Sequence, residues 1–210
     1  MITLYTLPST AGMAPHIVLR EIGAPHRLVL LDGDAKAQKA PDYLALNPHG
    51  RVPTLVDGDL VVTESAAICL HLADTHAQAG LAPPVGGAER ARLYQWLAYL
   101  TNTVQADLML YFYPDRYVPP DAAARLRDTV EERLAGMFAH IDAELAGREW
   151  LLGARYTIAD PYLFMLARWT RNMTRKAHDL PNLGPYLARV HARPAVTEAL
   201  KAEGIGEPYY

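Results

Sequence analysis

The sequence predicts an α+β protein in which a small α/β unit precedes an all-helical one. Up to about His76, short β-type runs alternate with short helical ones, which is typical of a compact α/β domain. Beyond that point the long segments repeat apolar residues at a spacing of three or four, the period of amphipathic helices. Residues 77–87 contain Pro-Pro and Gly-Gly pairs and are interpreted as a linker. The predicted domains are therefore residues 1–77 and 88–210.

The elements of the first domain are predicted in the order βαβαββα. Strands are predicted at residues 2–6 and 27–32, with a helix ended by Gly23 between them. A crossover of this kind pairs its two strands in parallel. A short helical turn follows, and two further strands joined at Gly58 should form an antiparallel hairpin. The last helix of the domain begins at Glu64.

The second domain is predicted to contain a long antiparallel helix pair and several shorter helices. The pair covers residues 88–113 and 121–147. Another helix begins with Thr157 and Asp160, whose spacing is that of a capping box with a structural role. The final segment is expected to form two short helices interrupted by Pro194.

Composition excludes several classes of function. The chain of 210 residues has a net charge of −3 and no run of five like charges, which argues against a nucleic-acid or anionic lipid surface. The only cysteine is Cys69, so an internal disulfide and a zinc ribbon are excluded and no metal is expected. Cys69 lies one turn into an apolar helix, where a buried and inert thiol is expected. No apolar run approaches the roughly 20 residues of a membrane span, and a cytoplasmic protein is expected.

One motif predicts a binding site in the first domain. The segment "GRVPTLVDGDLVVTESAAI" places Glu64 and Ser65 at the start of an apolar helix, shortly after Val52 and Pro53. Free N–H groups and the positive dipole end of a helix bind carboxylates, while the Glu64 carboxylate can hold an ammonium group. A cis bond before Pro53 would present the main chain of Val52 to an extended peptide. Taken alone, residues 63–65 have a plainer interpretation as an N-cap with an acidic first turn.

This motif, the segments "WLAYL" and "TIADPYLFMLARW" and the helical second half together resemble the soluble glutathione transferase family. The similarity extends over essentially the whole chain and is greatest to the bacterial beta class. It implies a thioredoxin-like first domain, an all-helical second domain, a homodimer and a role in detoxification. It also implies that glutathione is the co-substrate and is conjugated to a small apolar electrophile. In the family, the positions of Glu64 and Ser65 hold the γ-glutamyl group, and that of Val52 pairs with the cysteinyl backbone before Pro53.

Two further groups complete the glutathione and electrophile sites that the resemblance implies. Arg51 is the first candidate for the glycyl carboxylate, and Lys36, Lys39 and His49 on the flanking loops are alternatives. An excess of tyrosines around residues 109–117 favours a pocket wall over plain core. The predicted electrophile pocket is lined by Gln105, Met109, Tyr113 and Trp169, with Tyr111, Phe112 and Tyr117 nearby.

The group that activates the thiol is predicted in the loop after the first strand, "PSTAG". A thiol with a pKa of about 8.5 is only a few per cent ionised at pH 7, so hydrogen-bond donors must stabilise the thiolate. Beta-class relatives carry a cysteine here, and this chain has Ala11 at about that position. Serine-type family members use a hydroxyl, which carries the catalytic role onto Ser9 and Thr10. Main-chain N–H groups near Ala11 and Gly12 are the alternative, and Tyr5 is expected to belong to the core.

The chain departs from the beta class at a second position and also allows other interpretations. The beta class has a histidine on the first long helix where this chain has Gln105, which can donate a hydrogen bond but cannot accept a proton as histidine does. Tyr94, Trp96 and Tyr99 are either aromatic anchors of a dimer or internal core. The rival functions are glutathione-dependent disulfide reduction or reductive cleavage, and a non-catalytic binding module with the same fold.

Overall fold

The computed structural model describes all 210 residues and contains one four-stranded sheet and a set of α-helices. The strands are β1 (Ile2–Thr6), β2 (His26–Leu30), β3 (Thr54–Asp57) and β4 (Leu60–Thr63). The helices are α1 (Met13–Glu21), α2 (Pro41–Leu46), α3 (Ser65–Thr75), α4 (Ala88–Tyr99), α5 (Ala106–Phe112), α6 (Ala123–Leu145), α7 (Ala159–Trp169), α8 (Leu183–His191) and α9 (Pro194–Ala202). The predicted α+β class and the thioredoxin-like βαβαββα order of the first part are confirmed.

The sheet has the strand order β2-β1-β3-β4. β1 pairs with β2 in parallel, and β3 pairs antiparallel with both β1 and β4, as the crossover and the hairpin predict. Along β1 the side chains of Ile2, Leu4 and Thr6 are buried and the residues between them are less so, because successive side chains point to opposite faces. β1 is thus an inner strand, and the loop that follows it leads directly into α1.

The chain divides into two compact units, and the division differs from the predicted domains at the C-terminal end. Residues 1–82 form the first unit together with residues 191–209, and residues 83–190 with Tyr210 form the second. The helix α9 packs against α1, burying Val196 and Leu200. Arg193 also donates to both carboxylate oxygens of Glu21, at 2.6 and 2.8 Å. Apolar burial and a bidentate ion pair therefore attach the C-terminal segment to the α/β unit.

Within the second unit, the first long helix is continuous but not regular. A π-helical segment, Leu100–Gln105, joins α4 to α5. The Thr101 hydroxyl donates to the carbonyl oxygen of Leu97 at 2.8 Å, so a side chain competes for the acceptor of the helical ladder where the segment begins. π-Helical turns of this kind occur often at functional positions, and this one ends at Gln105.

The capping box at the start of α7 is more extensive than the sequence predicts. The Asp160 carboxylate accepts the Thr157 N–H at 2.7 Å, as expected, and the Thr157 hydroxyl reaches the N–H of Ala159 at 3.3 Å. Asp160 also accepts hydrogen bonds from the Leu151 N–H at 2.9 Å and the Tyr186 hydroxyl at 2.7 Å. One buried carboxylate thus connects the start of α7 to a preceding turn and to α8.

Candidate active site

The loop between β1 and α1 is shaped by close backbone packing. A side chain at Gly12 would place its Cβ 1.9 Å from Oγ1 of Thr6, so only glycine fits beside this buried threonine. The Thr10 hydroxyl donates to the Leu7 carbonyl oxygen at 2.7 Å and lies 3.4 Å from Oγ1 of Thr6. Ser9 adopts a left-handed backbone conformation with φ of 61°. The loop is therefore an ordered turn in which the Thr10 hydroxyl has a defined partner.

The start of α3 contacts this loop directly. The Ser65 hydroxyl donates to the carbonyl oxygen of Ala11 at 2.7 Å, which joins the two predicted halves of the glutathione site. Glu64 precedes the helix in an unusual conformation, with φ of 68° and ψ of 115°. Its carboxylate is exposed and makes no capping hydrogen bond. Glu64 thus occupies the N-cap position without the side-chain hydrogen bond of an ordinary N-cap, which leaves its carboxylate accessible to a ligand.

The Val52-Pro53 segment is held in place from its other side. The peptide bond between these residues is cis, as the sequence analysis suggests. The carbonyl oxygen of Arg51 accepts hydrogen bonds from the Tyr43 hydroxyl at 2.6 Å and from the Asn47 side-chain amide at 2.8 Å. The main-chain groups of Val52 take no part in the sheet, whose β3 begins at residue 54. An extended peptide can therefore pair with Val52.

The candidate cations differ in how they are held. Arg51 is exposed, whereas the Lys39 ammonium group donates to the carbonyl oxygen of His49 at 3.1 Å. Lys36 is exposed in a left-handed conformation with φ of 52°. Arg51 also adjoins Val52 directly, which supports its place as the first candidate for an anionic ligand group.

Two of the predicted electrophile-site residues, Gln105 and Trp169, each contact another side chain of the helical unit. The Tyr162 hydroxyl donates to Oε1 of Gln105 at 2.5 Å. Near the end of α5, the Phe112 ring packs edge-to-face on Trp169, with ring centroids 6.3 Å apart. Tyr113 is 40% exposed. Trp169 itself is buried, so its main contribution is to pack against Phe112 and it presents little surface to a ligand. Met109 lies half-buried on α5, between Gln105 and Tyr113 in the chain.

Sequence reasoning missed a buried acid beside the loop. Glu203, just after α9, accepts the main-chain N–H of Ser9 at 3.1 Å and lies 2.8 Å from Nδ1 of His16. The three residues are adjacent only in the folded unit, because 194 positions separate Ser9 from Glu203. No local motif marks such a contact. The one available signal is that Glu203 occupies the next position in the apolar spacing of Val196, Ala199 and Leu200, which is weak on its own.

The remaining candidate groups are structural. Cys69 is fully buried, as predicted, and burial raises the pKa of its thiol far above the usual range. The structure contains no group of three or more His, Cys, Asp or Glu side chains that could hold a metal ion. None of its helices combines the length and the apolar character that crossing a bilayer requires.

The three aromatic residues of α4, Tyr94, Trp96 and Tyr99, differ in how far they are exposed. Trp96 is only 7% exposed and stacks on His140, and Tyr99 meets the same histidine edge-on. Both rings contact another side chain of the helical unit, which favours the internal-core alternative for these two residues. Tyr94 is 44% exposed, with the Arg90 guanidinium 4.8 Å from its ring centroid, and it alone of the three offers a large free face.

Two family models match the chain, one in each half. The family model described as glutathione S-transferase, N-terminal domain, matches residues 1–74, and the C-terminal domain model matches residues 99–194. The chain is 36% identical to glutathione S-transferase GST-4.5 of Xanthomonas campestris pv. campestris, over 96% of this chain and 98% of that protein.

Two solved bacterial structures are similar over nearly the whole length. A beta-class glutathione S-transferase of Sphingomonas chungbukensis is 35% identical with a TM-score of 0.85, over 97% of this chain and all of that one. A sphingomonad glutathione S-transferase solved in complex with glutathione is 34% identical with a TM-score of 0.84, over the same shares. With both domain models matched and identity above 30% over nearly full length, the chain belongs to the glutathione S-transferase family of enzymes, with beta-class enzymes among its structural neighbours.

Proposed function

We propose that this enzyme binds glutathione on the α/β unit, stabilises its thiolate at the start of α1 and conjugates glutathione through its sulfur to a small apolar electrophile. The observation that carries the proposal is the 2.7 Å hydrogen bond from Ser65 to Ala11. It joins the helix start suited to the γ-glutamyl group to the loop suited to the thiol. The similarity to an enzyme solved with glutathione supports the same ligand.

Each part of the tripeptide has a matching group in this arrangement. The γ-glutamyl carboxylate fits the N–H groups at the start of α3, and its ammonium fits the exposed Glu64 carboxylate. The cysteinyl backbone fits the main chain of Val52 before Pro53, and Arg51 fits the glycyl carboxylate. These contacts hold the thiol by two charged ends and a central backbone pair, so the sulfur position is defined before the electrophile arrives.

The chemical step requires a deprotonated glutathione sulfur and hydrogen-bond donors that stabilise its negative charge. The candidates are the Ser9 and Thr10 hydroxyls and the N–H groups of Ala11 and Gly12, which lie at the positive end of the α1 dipole. The thiolate sulfur forms a C–S bond to the electrophilic carbon, and the electron pair displaced from that carbon leaves with the departing group. The proposed electrophile site comprises Gln105, Met109, Tyr113 and Trp169 in the helical unit.

Replacing Glu64 by Ala tests the glutathione site. We expect the affinity for glutathione to fall roughly tenfold, because a charge-assisted contact to the ligand ammonium is worth about 1.5 kcal/mol at an exposed position. Titration calorimetry on the two proteins measures the change. Asp59→Ala removes another exposed carboxylate, in the β3–β4 turn, and should leave the affinity unchanged. Equal affinity in wild type and Glu64→Ala would remove Glu64 from the site.

We also propose that the enzyme is a homodimer, in which the exposed Tyr94 face of α4 lies at the subunit interface. Light scattering at micromolar concentration should then give about twice the chain mass of 23.2 kDa. Tyr94→Glu should shift the distribution toward the single-chain mass, since a charge buried in an interface is costly. A single-chain mass for the wild type would contradict the dimer. An unaltered dimer in the variant would place the interface elsewhere.

A further inference from the structure

A buried carboxylate from the C-terminal segment lies directly behind the loop that we assign to thiol activation. The Glu203 side chain is fully buried, as is that of His16 on α1. Oε2 of Glu203 accepts the Ser9 N–H at 3.1 Å, and Oε1 lies 2.8 Å from Nδ1 of His16. Both oxygens therefore have a partner. Burying a carboxylate is costly unless it is hydrogen-bonded. The Glu203 carboxylate therefore fixes the positions of the Ser9 N–H and of the His16 ring.

His16 is held so that its Nδ1 faces the acid. The His26 ring packs edge-on against it, with ring centroids 5.8 Å apart. His26 is held in turn by the contact of its own Nδ1 with the Ala24 carbonyl oxygen at 2.8 Å. Nδ1 of His16 and Oε1 of Glu203 share one hydrogen bond, so each of the two carboxylate oxygens contacts a different element. The Glu203 carboxylate thereby connects α1 to the loop.

The contact to Ser9 matters because of the conformation that it stabilises. Ser9 has φ of 61°, a region that residues with a Cβ rarely adopt and that persists only where the surroundings enforce it. A change of this residue to negative φ would redirect the following peptide groups. Those groups include the N–H of Ala11 and Gly12, the alternative donors to the thiolate.

We propose that Glu203 is a positioning residue for this loop: its buried carboxylate holds Ser9 in the left-handed conformation and so sets the direction of the donors that face the glutathione sulfur. The inference rests on the proposed transferase function. It makes the C-terminal segment part of the catalytic apparatus, although Glu203 itself touches neither substrate. It also gives a chemical reason why residues 191–209 belong to the α/β unit.

Glu203→Leu tests the proposal, because it removes both acceptors at similar volume. We expect kcat for conjugation to fall roughly tenfold with KM for glutathione changed less than about twofold, since the tripeptide anchors at Glu64, Ser65 and Val52 are intact. Glu203→Gln retains one acceptor oxygen for Ser9 and should recover most of kcat. The matched control is Glu198→Leu on α9. The Glu198 side chain is 63% exposed, so this variant should leave both kcat and KM unchanged.

A measurement without glutathione separates this inference from the proposed function. Hydrogen–deuterium exchange of the peptide that contains Ser9 should quicken in Glu203→Leu, and in Glu203→Gln to a smaller extent, relative to wild type and Glu198→Leu. Faster exchange in a protein that does not use glutathione would reject the proposed transferase function, but it would support the role of Glu203 in holding the loop at Ser9. Unchanged exchange and unchanged kcat in an active enzyme would overturn the role of Glu203 alone. If the leucine variant does not fold, the glutamine variant decides by the same criteria.

The left-handed residue provides a second test. Glycine adopts positive φ without strain, so a Ser9→Gly background should depend less on Glu203. We expect Glu203→Leu to lower kcat by less than about threefold in that background, against roughly tenfold in the wild type, which is the coupling that a double-mutant cycle detects. Equal losses in the two backgrounds would mean that Glu203 acts through packing and would reject the positioning role.

Discussion

Asp160→Asn is expected to lower the free energy of unfolding by at least about 2 kcal/mol at pH 7. The fully buried carboxylate accepts hydrogen bonds from the main chain of Leu151 and Thr157 and from the hydroxyls of Thr157 and Tyr186. An amide offers one acceptor oxygen, so its NH₂ group must face donors that the carboxylate had satisfied. Urea unfolding followed by circular dichroism measures the loss. Asp128→Asn, at an exposed position of α6, should change the stability by less than about 0.5 kcal/mol.

The size of this loss should depend on pH. Burial raises the pKa of Asp160 to about 6, despite the four hydrogen bonds that oppose the shift. The folded protein thus holds a proton that the unfolded chain, with a pKa near 3.9, releases. The stability contributed by this group is complete below pH 4 and declines as the pH rises through 6. The difference between wild type and Asp160→Asn should therefore shrink by about 2 kcal/mol between pH 4.5 and pH 7. A difference that grows with pH would contradict the raised pKa.

The parts of the fold that the sequence predicts are those encoded by neighbouring residues. The alternation in β1, the turn at Gly58 and the capping pair Thr157 and Asp160 each depend on a few consecutive positions. The π-helical segment ending at Gln105 cannot be predicted from neighbouring residues, because the apolar spacing of three to four continues through it. A periodic pattern therefore identifies a helix without revealing a local change in its hydrogen bonding.

The candidate site likewise contains some residues whose proximity the sequence predicts and others whose proximity it does not. Glu64, Ser65, Val52 and Pro53 lie in one continuous motif, so their proximity follows from the order of strands and helix. The contact of Glu203 with Ser9 depends on how α9 packs against α1, which no local pattern encodes. For the same reason the predicted second domain retains the C-terminal segment, whereas the structure assigns residues 191–209 to the first unit.

Ser9→Ala is expected to raise the apparent pKa of bound glutathione by about one to two units, because a lost hydrogen bond to an anion is worth about 1.5 to 3 kcal/mol. The alanine keeps a Cβ, so the left-handed conformation at this position is no easier or harder to adopt and the change isolates the hydroxyl. The pH profile of kcat/KM for conjugation, or the thiolate absorbance of the binary complex, measures the pKa. Thr10→Ala is the matched comparison and should shift the pKa by less, because the Thr10 hydroxyl already donates to the Leu7 carbonyl oxygen at 2.7 Å.

The outcome of this pair of variants distinguishes three ways of stabilising the thiolate. A shift with Ser9→Ala alone identifies the Ser9 hydroxyl as the donor, and a larger shift with Thr10→Ala means that its hydroxyl rotates toward the sulfur when glutathione binds. If neither variant moves the profile, the hydroxyl hypothesis is wrong and the N–H groups of Ala11 and Gly12 at the start of α1 stabilise the charge. In all three cases the loop contains no thiol and Cys69 is buried. Mass spectrometry of the native enzyme after incubation with oxidised glutathione should therefore show no covalent adduct, and an adduct on Cys69 would instead favour disulfide reduction as the activity.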